Sequence, residues 1–560
     1  MQDDMIFTIA VLVLIFASFA FVSVRDHIKR NRRFLAHARK FWGTVPDREY
    51  TYEEFQSISN YAKRRKGQDF FLDDITWKDL DMDRIFMLLN NTISSCGEEY
   101  LYEILRKPVF EQSKLDERNR LIEYFRVNED IRIRIQKVLA KVGKTYGISL
   151  ADYVYRLNDI PRRSNVKYIL LAAAMIGCFI SLFFAPIAGV LGICVLLVYN
   201  MILFTSEKGK MEAYLKCFQC ILNMCGAASD LEKISDQEIG VYVKNLQKAR
   251  KALAGFCRGS FLVTSKGTVS TDLGSSMMEY ANMFFHLDKI KFNSMLRQLD
   301  GHQKDVEILM ENLGILDSAI AIASFREYLP YYCRGEFSEN ISMEVHNLYH
   351  PLIEEPVANS ITVQNGTLVT GSNASGKSTF LKNIAINAIL AQTIDTAVAT
   401  QYKAPFLKTM TSMALNDSLE SGESYYIVEI KSLKRILDES KKELPLLCII
   451  DEVLRGTNTI ERIAASSQIL SQLNRSNVLV FAATHDLELS YILEKEYTNY
   501  HFEEEISDDD IHFNYMLKPG RTNTRNAIRL LELLGYDEAI IKGSQAEAAV
   551  FEKTGVWELC

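Results

Sequence analysis

Residues 368–390 read LVTGSNASGKSTFLKNIAINAIL. A short apolar strand ending at Thr370 runs into Gly371-x4-Gly376-Lys377-Ser378 and then into a helix. That order is what the binding of a polyphosphate requires. Glycines let successive backbone N–H groups wrap the phosphate oxygens, and a helix N-terminus adds positive potential. Gly371, Ser372, Asn373, Ala374, Ser375, Gly376, Lys377, Ser378 and Thr379 therefore form the candidate nucleotide-binding loop. In it Lys377 reaches the β- and γ-phosphates and the Ser378 hydroxyl ligates Mg²⁺.

Moving outward along the chain, residues 444–458 read LPLLCIIDEVLRGTN. Five apolar residues from Leu446 to Ile450 predict a buried parallel strand ending in Asp451 and Glu452. Carboxylates at the C-terminal edge of such a sheet sit beside the phosphate loop. Asp451 then helps to hold Mg²⁺ and Glu452 polarises the attacking water. The next apolar strand lies in NVLVFAATHDLEL, residues 477–489, and ends with Thr484 and His485. A histidine there is placed to contact the γ-phosphate. Between these strands, residues 415–437 read LNDSLESGESYYIVEIKSLKRIL, a polar Ser/Gly loop feeding a helix.

From about residue 341 short apolar strands alternate with helices, the texture of an α/β domain with a largely parallel sheet. Upstream the pattern is helical on both sides of a long apolar block. The first of two apolar blocks is MIFTIAVLVLIFASFAFVSV, residues 5–24, twenty residues without a charge. At about 1.5 Å per residue such a helix spans the bilayer core. Asp3 and Asp4 precede it and Arg25, Lys29, Arg30, Arg32 and Arg33 follow it, so the expectation is an uncleaved anchor with its N-terminus outside. The second block, Tyr168 to Phe204, is broken by Pro186 and Gly189 and predicts two crossing helices, 168–184 and 187–204, with both ends cytoplasmic. Five segments result: an anchor at 1–24, a helical part at 25–167, a membrane hairpin at 168–204, a second helical part at 205–337 and the ATPase domain at 338–560. The protein is thus expected to be multi-pass in the cell membrane, with its ATPase domain in the cytoplasm.

The motifs together resemble the MutS family. GSNASGKSTFLK is similar to the family's phosphate loop, DEVLRGTNTIE to its Asp-Glu segment and ATHDLEL to its histidine switch. Upstream, residues 91–125 resemble the start of its helical core, with Gly97, Leu101, Leu105, Pro108, Leu115 and Arg118 in matching order. LGILDSAIAIASF from Leu313 and YHPLIE from Tyr349 resemble the end of that core and the approach to the ATPase. The resemblance implies an α/β P-loop NTPase of the ABC/MutS type, preceded by an all-α core that transmembrane helices interrupt. It implies ATP and Mg²⁺ as cofactors and a homodimer in which Ser421, Gly422 and Ser424 complete the partner's site. It also implies that Tyr515 contacts the adenine. Nothing before residue 80 resembles a mismatch-reading domain, and the inserted DNA clamp is short or missing between about 236 and 300.

The chain has 560 residues and a formal charge of −7, so it carries no global basic field for nucleic acid, and any DNA surface is local. Lys244 to Ser260 and Arg25 to Arg33 are the candidates for that surface. Ten scattered cysteines fit a reducing compartment, and the cluster Cys217, Cys220 and Cys225 reads as a buried helix face without a fourth zinc ligand. Two functions remain. In one, a dimeric ATPase levers its helical arms onto mismatched or branched DNA; in the other, the same motion acts on a non-DNA membrane partner. Spans without charged residues make a poor permeation path, which disfavours a transporter.

Overall fold

The apolar runs that flank the phosphate loop become the centre of a parallel sheet. A computed structural model describes residues 18, 21–22, 25–26, 28–67, 70–145, 149, 152, 154, 164–260, 280–372, 375–413, 425–455, 457–506, 511–522, 527–533 and 535–557. The chain divides into two compact units. One takes Met1–Gly67, Leu89–Glu103 and Arg120–Tyr328, and the other Gln68–Leu88, Ile104–Asn119 and Leu329–Cys560.

The second unit holds the sheets. Its strands are β1 (Gly335–Phe337), β2 (Met343–Leu348), β3 (Asn359–Val363), β4 (Gly366–Thr370), β5 (Gln401–Ala404) and β6 (Lys408–Ser412), followed by β7 (Leu446–Asp451), β8 (Val478–Thr484) and β9 (Tyr497–His501). Three short strands complete the set: β10 (Glu504–Ile506), β11 (Ile511–Phe513) and β12 (Lys518–Pro519). The larger sheet runs β12-β9-β4-β8-β7-β6, with β9 to β6 mutually parallel and β12 antiparallel at the edge. A smaller sheet has the order β1-β5-β2-β3. All seven residues of β8 are buried, as are the first five of β7. Strands covered on both faces must be apolar throughout instead of alternating, which is why the sequence there reads as unbroken runs. Because β8 lies between β4 and β7, the C-terminal ends of all three strands converge on one edge.

The edge strand β6 is covered by the helix Asp74–Asp79. Thr411 N donates to Thr76 Oγ1 at 3.2 Å, and Asp79 Oδ2 accepts from Thr411 Oγ1 at 2.6 Å and from Met413 N at 3.1 Å. Val109 N donates to Gln392 O at 2.9 Å, and the Arg118 guanidinium donates to Thr393 O. These bonds bring residues 68–88 and 104–119 into the α/β unit, which begins at Leu329 instead of residue 338. A single-segment boundary therefore does not describe the structure. The reason is tertiary: short helices blunt an otherwise unpaired sheet edge.

The first unit is helical. Its long helix Gln303–Tyr328 is apolar enough to pass for a membrane span, yet most of its residues, from Val306 to Arg326, are buried in the helical core. Asp317 on it is fully buried and accepts from Ser94 N at 2.8 Å, Ser94 Oγ at 2.5 Å and Ile93 N at 3.1 Å. Gly97 and Gly314 allow close approach here: a Cβ on Gly97 would overlap Asp317 Oδ2, and one on Gly314 would stand 2.6 Å from Tyr100 Cβ.

The apolar block at 168–204 forms a helical hairpin. Its first arm is Val166–Ser181, and its second, starting at Pro186, does not stop near 204 but continues to Leu231. Proline suits this first helical turn, where no intrahelical N–H bond is required. Gly189 packs under Ser181 and Leu182, and Gly192 under Cys178, so small residues let the arms touch. Pro186–Leu203 is long and apolar enough to cross a membrane and is 11% buried, whereas the first arm has sixteen residues. Phe183, Phe184 and Ile187 at the tip are each more than 85% exposed. The segment 5–24 lies almost wholly outside the described residues. Cys217, Cys220 and Cys225 are buried along the inner half of the second arm's helix. Among the described residues no cluster of three His, Cys, Asp or Glu side chains is fit to hold a metal ion.

Candidate functional site

The phosphate loop begins where β4 ends and closes into the helix Lys377–Ile394. Gly371 has φ +147° and Gly376 φ +102°, both in the region that favours glycine. A Cβ on Gly371 would stand 2.6 Å from Phe502 O, so even the space forbids a side chain there. Lys377 Nζ donates to Gly371 O at 2.7 Å and Ser372 O at 2.6 Å, so the loop folds back over its own lysine. Burial pulls the Lys377 ammonium down to about 8, against the attraction of Asp451, Glu452 and Glu504. Ser375 Oγ donates to Ser372 O at 2.9 Å. Asn373 and Ala374 lie outside the described residues, as do Ser421, Gly422 and Ser424.

Across the sheet edge, the Ser378 hydroxyl bonds the Asp451 carboxylate, whose pKa burial pushes upward. A half-buried carboxylate beside a hydroxyl is a hard-oxygen pair of the kind that holds Mg²⁺ together with phosphate oxygens, without a protein-only cage. The residues present therefore fit the ion. Glu452 adopts φ +60° and donates its N–H to Ala483 O of β8 at 3.0 Å. Its two carboxylate oxygens are both engaged, Oε1 with His485 Nε2 at 2.9 Å and Oε2 with Arg455 Nε at 2.8 Å. The hydrogen bond from His485 is the main cause that holds the Glu452 carboxyl below its ordinary range. His485 is itself positioned by the turn after β8, where Asp486 N donates to Thr484 Oγ1 at 3.0 Å and Arg462 grips Asp486 through two bonds of 2.8 and 2.6 Å.

These groups line one cavity of about 540 Å³, within the size range of small-molecule sites. Its phosphate-loop side carries Lys377, Ser378 and Thr379, and its acidic side Asp451 and Glu452. The remaining wall includes Ile353, Pro356, Val357 and the ring of Tyr515, apolar surface of a kind that can pack against a planar ring, together with His350, Glu355 and Asn359. Asn359 fixes that wall: its Nδ2 donates to Tyr515 O at 3.0 Å, and its Oδ1 accepts from Leu517 N at 2.7 Å. Burial, with Lys382 and Arg84 close by, lowers the His350 imidazole to about 4, so it is neutral at physiological pH.

The structure thus brings Lys377, Ser378, Asp451, Glu452, His485 and Tyr515 around a common space. Sequence reasoning passed over Arg455, although it stands three residues after Glu452. It marked YHPLIE, which holds His350 and Ile353, only as the approach to the ATPase, and it passed over Val357 and Asn359. Glu504 belongs to an acidic run, 503–510, that reads as an exposed turn between strands; β10 lies within the run and β11 follows it, and Glu504 is buried and accepts from Ser372 Oγ at 2.8 Å.

Comparison with known proteins agrees with the geometry. The family model of MutS domain V matches residues 367–552. The DNA mismatch repair protein MutS of Methanosarcina mazei is 28% identical over 283 residues, 48% of this chain and 31% of that protein. That of Leptospira interrogans is 27% identical over 286 residues, with coverage of 48% and 33%. MutS protein homolog 4 of Homo sapiens is 28% identical over 287 residues, 48% of this chain and 30% of that protein. The chain spans about a third of the length of these relatives.

Proposed function

We propose, from the domain V similarity and the cavity beside it, that the chain is a MutS-type ATPase tethered to the cell membrane. The observation that carries this reading is the meeting of Lys377, Ser378, Asp451, Glu452 and His485 on one sheet edge beside an apolar wall. On binding ATP, Lys377 exchanges the carbonyls of Gly371 and Ser372 for β- and γ-phosphate oxygens. Ser378 and Asp451 would hold Mg²⁺, which when bound neutralises charge on those oxygens. Tyr515 and Ile353 flank the adenine. Glu452 orients the attacking water and takes up its proton. His485 contacts the γ-phosphate and, through its bond to Glu452, links the carboxylate to nucleotide state.

In this reading Ser421, Gly422 and Ser424 reach across a homodimer into the partner's site. Three spans, 5–24 and the two hairpin arms, place the ATPase on the cytoplasmic side. The exposed apolar tip of the hairpin supports membrane insertion. The likeness to proteins named for DNA mismatch repair supports mismatched or branched DNA as the ligand of the helical unit. A second reading, in which a membrane partner takes the place of DNA, is favoured by the uninterrupted helix Pro186–Leu231, which runs from the hairpin into the helical core.

The test uses the whole chain in detergent. Lys377→Ala should abolish nucleotide binding in an equilibrium assay, whereas Glu452→Gln should keep binding and lose about a hundredfold or more in turnover. Normal hydrolysis by Glu452→Gln would refute the role given to that carboxylate. Turnover is then followed with homoduplex, mismatched and branched DNA across salt. Stimulation that fades with rising salt supports the DNA reading. A flat response to every DNA leaves the membrane-partner reading.

A further inference from the structure

The turn that carries Glu452 has a backbone that its side chains disfavour. Glu452 at φ +60° and Leu454 at φ +57° are both left-handed, and neither is glycine. Such turns persist only where their surroundings over-determine them. Three anchors act here. Glu452 N donates to Ala483 O at 3.0 Å, and Ser466 Oγ donates to Val453 O at 3.2 Å. The third is Glu429, on the helix Tyr425–Glu439, whose Oε1 accepts from Leu454 N at 2.5 Å and from Arg455 N at 3.4 Å.

Glu429 is not among the residues lining the cavity, and its Oε2 is buried without a hydrogen bond. Burial, with the Glu452 carboxylate close by, pushes the Glu429 pKa upward against the pull of the two amide donors. Those amides belong to the residues that set the turn, and the Arg455 side chain in turn grips Glu452 Oε2 at 2.8 Å. The carboxylate at 429 thus reaches the carboxylate at 452 through one residue's backbone and side chain.

We infer that Glu429 is a positioning residue for ATP hydrolysis: by holding the amides of Leu454 and Arg455 it fixes the left-handed turn and aims Glu452. This rests on the ATPase reading above, and it assigns Glu429 no contact with nucleotide or water.

The experiment compares the unmodified full chain with its Glu429→Ala and Glu429→Gln variants in detergent, measuring kcat and the equilibrium Kd for ATP. Glu429→Ala should lower kcat by about 10- to 100-fold, the scale expected when a reacting group is displaced by a fraction of an ångström to 1 Å. Its Kd for ATP should stay within about twofold, because the phosphate loop and apolar wall are untouched. Glu429→Gln keeps an Oε1 acceptor and should recover most of the lost kcat. Equal kcat in the alanine variant and the unmodified chain would overturn the inference while leaving the ATPase reading intact. So would loss of ATP binding in step with turnover, or a glutamine variant no better than the alanine one, since each marks a structural role only. Absence of hydrolysis by the unmodified chain would instead sink the ATPase reading first, and this inference with it.

Discussion

His350 carries a pH dependence whose sign can be worked out. Its folded pKa is about 4, lowered by burial and by Lys382 and Arg84, against an ordinary value of about 6.5 when unfolded. Between those values the unfolded chain holds a proton that the folded chain does not, so stability present above pH 6.5 is lost as pH falls towards 4. The loss attributable to this group is at most about 3 kcal/mol. His350→Gln should flatten the dependence: urea titrations at pH 7, 5.5 and 4.5 should show a smaller loss of stability than in the parent. Identical slopes would mean that His350 is not held neutral. At this scale legibility followed chemistry that is local in the chain. Lys377, Ser378, Asp451 and Glu452 were readable because a loop between a strand and a helix, or a strand end, fixes where such residues stand. Asn359 was not, because its position comes from a segment that meets the loop only after folding, and His350 and Arg455 stood inside quoted stretches without a role assigned to their side chains. The acidic neighbours of Glu504 concealed that this one carboxylate turns inward.

Among the elements, the Gln303–Tyr328 helix and the stretch around Gly97 approach each other closely, with no room for a Cβ at Gly97 or Gly314. The two glycines and Asp317 form one device. Asp317 satisfies the amides of Ile93 and Ser94, and Gly97 leaves room for that carboxylate. Gly97→Ala should therefore cost about 2 kcal/mol or more through overpacking and displacement of the anchor. Circular dichroism melting should show a fall in Tm of several degrees, and an unchanged Tm would mean that the helices separate without penalty. The strands of the α/β unit were legible as apolar runs, whereas the covering of β6 by Asp74–Asp79 was not. An edge is defined by which strands do not pair, and no run of residues announces that. The second hairpin arm was legible at its start, because Pro186 marks a first turn, but not at its end. Residues 205–231 continue the same helix after the apolar stretch is over, and hydropathy measures surroundings, not backbone geometry.

At the scale of the molecule the membrane topology makes the sharpest prediction. In the topology proposed above both ends of the hairpin lie inside, and its tip at Phe183–Ala185 faces outward. In intact cells a membrane-impermeant maleimide should label a Phe184→Cys variant above the parent chain, while Ser260→Cys should react only after lysis. Labelling of residue 184 only in lysed cells would overturn the topology.

The helix from Pro186 to Leu231 is 46 residues long, about 69 Å at the usual rise. Its single helix runs from exposed apolar side chains such as Val190 and Leu191 to fully buried ones such as Phe218 and Ile221. A rod with no joint has few ways to yield, so a tilt imposed on one end must appear at the other. In the membrane topology proposed above, bilayer thickness and tension would set the angle of the outer half and so be written into the packing of the inner half, and any rearrangement of that packing would in turn press on the surrounding lipid.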